Sequence, residues 1–306
     1  MTATKDRTLM AAGLISVYAF VIGFTDNYVR VIAEEAGLWQ FHFTRSCMTA
    51  VLLGIGVAIW GFRVKPRSWR AVVARSAIHG SAMVIYFGAL AFLDVALVAA
   101  GLFTAPIWVL LISRFAYGHA IGPVQVMAVA LGFVGVILVL GPEALGGASM
   151  AALLPILAGA LYALGNIATR EWCGEESAQT LLAGFFGALG IIGAVGMVAL
   201  TLFPLEVPVG PDGFLQRGPV WASGEFYFWT FVQAAGSLIG VGFMIRAYQI
   251  TDASRASVLE YVILPASAFW TWVIWGKGLE PLAVLGMVLI VAAGTLIALR
   301  AKAEEA

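Results

Sequence analysis

Glu260 and Tyr261 stand side by side in an apolar run, 254–275, whose only other charged group is Arg255. A carboxylate in hydrocarbon must be protonated, paired or in contact with water, because a bare buried charge is very costly. Arg255 is five residues away and off the helix face, so Glu260 is a candidate for a protonatable or amine-binding group. His79, Met83 and Tyr86 recur at i, i+4 and i+7, a polar-aromatic stripe that should face the interior of a helical bundle. Such a stripe lines a cavity or hydrogen-bonds a neighbouring helix. Tyr162, Asn166 and Arg170 repeat every four residues on another single face. The first two are cavity residues or interhelical glue, and Arg170 is the end of its run and an anchor. Asp26 and Arg30, four apart, can neutralise each other, gate a path or read charge. Arg45, with His42 three residues before it, either serves the same outer vestibule or snorkels. Trp108 and Trp270 could stack on a planar ligand or fill volume, and Gln233 and Ser237 form a further polar pair. These groups can bind, gate and move protons, and none of them requires covalent chemistry.

The elements that carry them are set by composition. Apolar residues make up 61% of the 306, and charged residues only 11%, against roughly 25% in soluble domains. Ten apolar runs can be drawn: 9–33, 39–61, 71–91, 95–116, 121–140, 150–170, 178–203, 225–248, 254–275 and 279–299. Each approaches the ~20 residues that a helix needs to cross a bilayer. None alternates as a barrel strand would. The chain is therefore read as an all-α polytopic membrane protein with ten transmembrane helices. The joining segments are too short to hide a soluble domain.

Placement of basic residues fixes the orientation. With the amino terminus inside, Lys5, Arg7, Arg63, Lys65, Arg67, Arg70, Arg75, Arg114, Arg170, Arg246, Arg255, Arg300 and Lys302 fall at cytoplasmic ends. The opposite side carries Glu34, Glu35, Asp94, Glu143, Glu206 and Asp212, with Arg217 and Lys277 in its loops and Arg30 and Arg45 close to or inside the membrane there. That asymmetry satisfies the positive-inside bias and puts both termini in the cytoplasm. No cleavable signal pattern opens the chain. The long segment 204–223, with Pro204, Pro208, Pro211 and Pro219, faces outward and either connects the halves or shields the outer mouth.

An internal match relates the two halves. Asp94, Gly118 and Pro123 recur as Asp252, Gly276 and Pro281 at a constant offset of 158, while Pro106 and Pro265 slip by one. A fainter echo joins Gly23, Asn27 and Arg30 to Tyr162, Asn166 and Arg170. Five spans per half is an odd number, so residues 9–141 and 142–300 are expected as inverted five-helix repeats around a central cavity. Gly184, Gly187, Gly190, Gly193 and Gly196 recur every third residue and permit close packing of the seventh span. No nucleotide-binding loop, His-Glu-x-x-His or Gly-x-Ser-x-Gly is present. Cys47 and Cys173 suggest neither a disulfide nor a metal site.

The chain resembles the drug/metabolite transporter superfamily, in particular its EamA-type ten-helix members. The resemblance rests on Arg45, Tyr86-Phe-Gly-Ala-Leu90, Ala96, Ala99, Pro106, Tyr117-Gly118, Pro123 and Gly132/Gly135. Ala247, Pro265, Trp275-Gly276, Pro281, Gly286 and Gly294 repeat the pattern in the second half. His119 and Lys277 stand where such repeats commonly carry glutamate, so no role of those glutamates transfers. Within the superfamily the chain is most similar to YddG-type aromatic amino acid exporters. The resemblance implies export of amino acids or related metabolites across the bacterial inner membrane by alternating access, without cofactor, nucleic acid or ATPase subunit; a multidrug or lipid-linked-amine transporter of the same fold, or a facilitative channel, is the alternative. Its expected cavity faces belong to the first, third, fourth, sixth, eighth and ninth spans. They coincide with His79, Tyr86, Trp108, Tyr162, Asn166 and Tyr261 as substrate contacts. Asp26, Arg30, Arg45 and Glu260 are left as gating or coupling candidates.

Overall fold

The computed structural model describes residues 7–89, 93, 95–141, 150–278 and 280–305. Asp94, Glu143, Lys5 and the expected start of the second half at 142 lie outside them. Regular structure among the described residues is helical throughout, and ten helical stretches are long and apolar enough to span a bilayer. Their ends fall within three residues of those expected, except that the last helix runs on to Glu305. The spans are α1 (Thr8–Asp26) with α2 (Val29–Glu35), α3 (Leu38–Trp60), α4 (Trp69–Ala89), α5 (Val95–Leu102) with α6 (Ala105–Phe115), and α7 (Pro123–Leu140). The remainder are α8 (Leu153–Glu171), α9 (Ala178–Leu202), α10 (Gly224–Ile250), α11 (Ala253–Glu260) with α12 (Ile263–Trp275), and α13 (Pro281–Glu305).

Three spans are broken part-way, and each break has a local cause. Pro106 and Pro265 supply no N–H and crowd the carbonyl four residues back, so α5 stops at Leu102 and α11 at Glu260. The first span breaks at Asn27, whose side chain donates to the Gly23 carbonyl at 2.7 Å and accepts from Thr271 at 2.8 Å. This pins the break to α12.

The internal repeat is visible in the element bounds. α5 and α11 are separated by the same offset of 158 at both ends (95 to 253 and 102 to 260). Gly118 and Gly276, also 158 apart, have φ of 70° and 63°, a left-handed conformation that glycine adopts without steric cost. Helix contacts follow suit. α1 packs on α10 and α4 on α8, while α3 meets α9 and α7 meets α13. Exchanging the halves maps the first two contacts onto each other and the last two onto themselves, the pattern of a two-fold repeat.

Packing separates lipid-facing from buried surfaces. Val51, Ile191, Val195 and Val288 are more than half exposed, as a lipid-facing surface should be, while Trp60 and Trp69 flank the loop at the basic end. The glycine stripe on α9 divides between neighbours, because three residues fall short of a full turn. A Cβ at Gly190 or Gly193 would press on α3 at Ser46 or Phe43, one at Gly184 would press on Ser76 of α4, and one at Gly187 would meet nothing within 4 Å. The segment 204–223 is strapped to the start of the second span. Arg217 donates to the carbonyls of Ala33 and Gly210, each at 2.7 Å, and Gln40 exchanges two 2.9 Å bonds with the Val220 backbone.

Candidate functional site

A cavity of about 200 Å³ opens beside the unwound segments of the fourth and ninth spans. The breaks aim consecutive residues inward: Leu102, Phe103, Ala105 and Pro106 from one, and Glu260, Tyr261 and Ile263 from the other. From α1 come Tyr18, Ile22 and Asp26, spaced by four. From α4 come His79, Met83, Tyr86 and Phe87. Tyr162 of α8, Phe185 and Phe186 of α9, and Ser237 and Met244 of α10 close the wall, with Arg45 reaching in from α3.

Glu260 is the polar centre of one end. Its Oε1 accepts a 2.9 Å bond from the Tyr162 hydroxyl, and its Oε2 a 2.7 Å bond from the Tyr248 hydroxyl. Asn166 Nδ2 lies 3.5 Å from Oε2. Every partner is a donor, and among the described residues no cation lies within ion-pair distance. Asn166 Oδ1 and His79 Nδ1 are buried without a hydrogen-bond partner. The His79 ring stands edge-on to Tyr162 at 4.7 Å and to Phe185 at 5.2 Å. Its backing is Gly165: a Cβ there would lie 2.6 Å from Nδ1, so the imidazole occupies space that only a glycine leaves.

Tyr162, Asn166 and Arg170 share one face of α8, and all three reach α11 or the residues leading into it. Arg170 bonds Asp252 at 2.9 Å and also donates to the Thr251 carbonyl. Thr251 in turn bonds Thr8 at 2.8 Å, and Trp172 donates to the Tyr117 hydroxyl at 2.9 Å. This network ties the ends of α1, α6, α8 and α10 between the cavity and the face that holds the start of α1 and the end of α13.

The structure thus gathers His79, Tyr86, Tyr162, Tyr261, Asp26, Arg45 and Glu260 around one cavity. Asn166 stands behind Glu260 rather than in the wall. Trp108 packs against the apolar cluster of Ile15, Val109 and Ile167 instead. Trp270 donates to the Phe20 carbonyl at 2.9 Å and fills space beside α1. The expected Asp26–Arg30 pair does not form. Because α1 ends at Asp26 and the chain resumes helix at Val29, the i, i+4 register is lost; Asp26 faces the cavity and Gln233, and Arg30 lies exposed over Trp275 at 5.9 Å. Arg75, assigned by sequence to a basic end, is fully buried and donates to Thr169 Oγ1 at 3.0 Å. Arg170, expected as an anchor, makes the ion pair with Asp252.

Sequence reasoning missed Tyr18, Tyr248, Phe185 and Phe186. Tyr18 had a signal, since Tyr18, Ile22 and Asp26 share one helix face. Tyr248 had none, because it lies on a different helix from Glu260 and only the fold brings them together.

Comparisons with known proteins agree with this architecture. Residues 9–141 match the EamA-like transporter family. An uncharacterized transporter of Helicobacter pylori is 22% identical over 98% of both chains. A riboflavin transporter of Rhizobium johnstonii is 24% identical, covering 87% of this chain and 80% of its own. A pseudopaline exporter of Pseudomonas aeruginosa is 22% identical over 93% of this chain and 95% of its own. One solved crystal structure superposes with a TM-score of 0.75 at 20% identity, covering 95% of this chain and 98% of that one, which speaks to the fold. The ten-span bundle and its cavity describe a multi-pass membrane protein, and the relatives it resembles are named as transporters. The family match lies in the first half of the bundle and spans less than half of the chain.

Proposed function

We propose that this protein exports small zwitterionic metabolites, neutral and aromatic amino acids foremost, across the bacterial inner membrane by alternating access. The observation that carries the reading is Glu260, a carboxylate with donors but no cation at ion-pair distance among the described residues, set in a cavity walled by aromatic rings. A substrate ammonium supplies the missing cation, and ring faces attract it further. The side chain then lies among Tyr86, Phe87, Phe103 and Phe185. A volume of about 200 Å³ suits one ring system, below the ~300–1,000 Å³ of drug-sized pockets.

The basic face is the cytoplasmic one by charge bias. In this conformation the Arg170–Asp252 network lies between the cavity and that face, and opening to the cytoplasm requires its release. The paired unwound segments of the fourth and ninth spans are the type of element around which repeats rock.

Counterflow in proteoliposomes tests the reading. Vesicles preloaded with unlabelled tryptophan, phenylalanine, methionine or threonine should accumulate the labelled counterpart saturably for a subset. A second reading, transport of a larger planar or amine-bearing metabolite, draws support from the riboflavin and pseudopaline relatives. Including riboflavin in the panel separates the two: exchange of riboflavin without any amino acid would reject the first.

A further inference from the structure

We propose that Arg45 is the anchor for an anionic group of the transported substrate, so that the cargo carries a carboxylate or equivalent anion. The inference rests on the cavity being the transport site and specifies a second charged group in its wall besides Glu260. Arg45 is 8% exposed and lines the cavity. A guanidinium has five N–H donors. Arg45 Nη2 bonds His42 Nδ1 at 3.1 Å, while Nε is buried without a partner. No carboxylate lies within ion-pair distance among the described residues; Asp26, which lines the same cavity, accepts from Gln233 Nε2 at 3.3 Å.

Two other arginines in the chain show what a structural role looks like here. Arg217 donates to the carbonyls of Ala33, Glu34, Ala36 and Gly210. Arg75 bonds Thr169 and the Leu181 carbonyl. Among the described residues Arg45 donates to no backbone carbonyl. It is instead framed by rings, with its guanidinium carbon 4.7 Å from the centre of Phe41 and 5.4 Å from that of Phe186. Stacking of this kind fixes the guanidinium plane without consuming donors, the preorganisation that bidentate carboxylate recognition needs. His42 contributes through tautomer. A guanidinium only donates, so Nδ1 accepts and the proton sits on Nε2. The imidazole is held edge-on to Phe87 at 5.2 Å, a residue of the cavity wall. His42 is a positioning residue for Arg45.

The test uses the full-length protein in nanodiscs and three ligands of one ring: tryptophan, tryptamine and indole-3-propionate. Wild type should bind both carboxylate-bearing ligands, and Arg45→Gln should weaken both by about 10–100-fold, the worth of a charge-assisted bond. Tryptamine affinity should stay within about twofold. Should Arg45→Gln fail to fold, Arg45→Lys keeps the charge, loses the planar fork, and should still weaken carboxylate binding severalfold. Equal carboxylate affinity in a folded Arg45 variant overturns the anchor. If no indole binds wild type, the melting temperature in benzoate decides: Arg45-dependent stabilisation keeps the anchor and rejects the amino-acid reading. Stabilisation absent, or identical in the variant, overturns the anchor.

Discussion

The hydroxyl of Tyr261 donates to the carbonyl oxygen of Phe103, 3.3 Å away, joining the unwound segment of the ninth span to that of the fourth. The two residues are 158 apart and occupy equivalent places in the two halves, just after α5 and just after α11. Both line the cavity, so the bond couples the halves at the cavity wall. Tyr261→Phe removes this bond and leaves the ring against Gly132. It should lower stability by ~1 kcal/mol, seen as a small drop in melting temperature, and should slow counterflow without abolishing binding. Unchanged transport would show that the breaks need no such tether.

Glu260→Gln keeps the volume and removes the charge. Counterflow of amine-bearing substrates should fall by about tenfold or more, the loss of a buried charge-assisted contact. Binding of an analogue without the amine should be spared. If exchange and its pH profile both match wild type, Glu260 neither binds amine nor couples protons.

Tyr248 is fully buried and directs its hydroxyl to Glu260. Tyr248→Phe leaves the carboxylate one donor short and should cost ~1–3 kcal/mol of stability. In a Glu260→Leu background the same change should cost markedly less, because the acceptor is gone. A thermal double-mutant cycle with zero coupling would rule out the contact as a contributor.

Gly165 and Gly187 are both mid-helix glycines with opposite surroundings. Gly165→Ala would drive a methyl into His79, whereas the space beside Gly187 is open. We expect Gly165→Ala to cost ~1–3 kcal/mol through overpacking and to impair binding by tilting the imidazole. Gly187→Ala should be neutral or stabilising, since alanine favours helix. Similar melting temperatures for the two variants would contradict this.

The Arg170–Asp252 pair is a partly exposed latch, with side chains 25% and 45% accessible. Its worth is therefore ~0–1 kcal/mol. Asp252→Asn should shift the balance between inward- and outward-open states by no more than about fivefold. The readout is maleimide labelling of a Ser257→Cys variant from the basic face, which should accelerate; a slower rate would place the latch elsewhere.

Much of this was legible without coordinates. Span positions follow from apolar length, since hydrocarbon of fixed thickness demands a fixed run of residues. The offset of 158 between Asp94 and Asp252 announced the repeat, and four-residue spacing announced that Tyr162, Asn166 and Arg170 share a face. Pro106 and Pro265 were legible as a repeated pair of mid-span prolines, though not as the breaks they make. Glu260 stood out because an isolated carboxylate in hydrocarbon demands an explanation.

Other features needed the tertiary structure. The sequence could not tell that Asp26 and Arg30 part company, because a break at Asn27 depends on partners in α12, 240 or more positions along the chain. Nor could it distinguish three buried or half-buried arginines: Arg217 clamps carbonyls, Arg75 braces two helices, and Arg45 keeps a donor unmatched. Residue type and periodicity determine which face of a helix is polar. Which neighbour that face meets, and whether its donors are satisfied, depends on how the helices dock, and docking brings together residues with no fixed spacing between them.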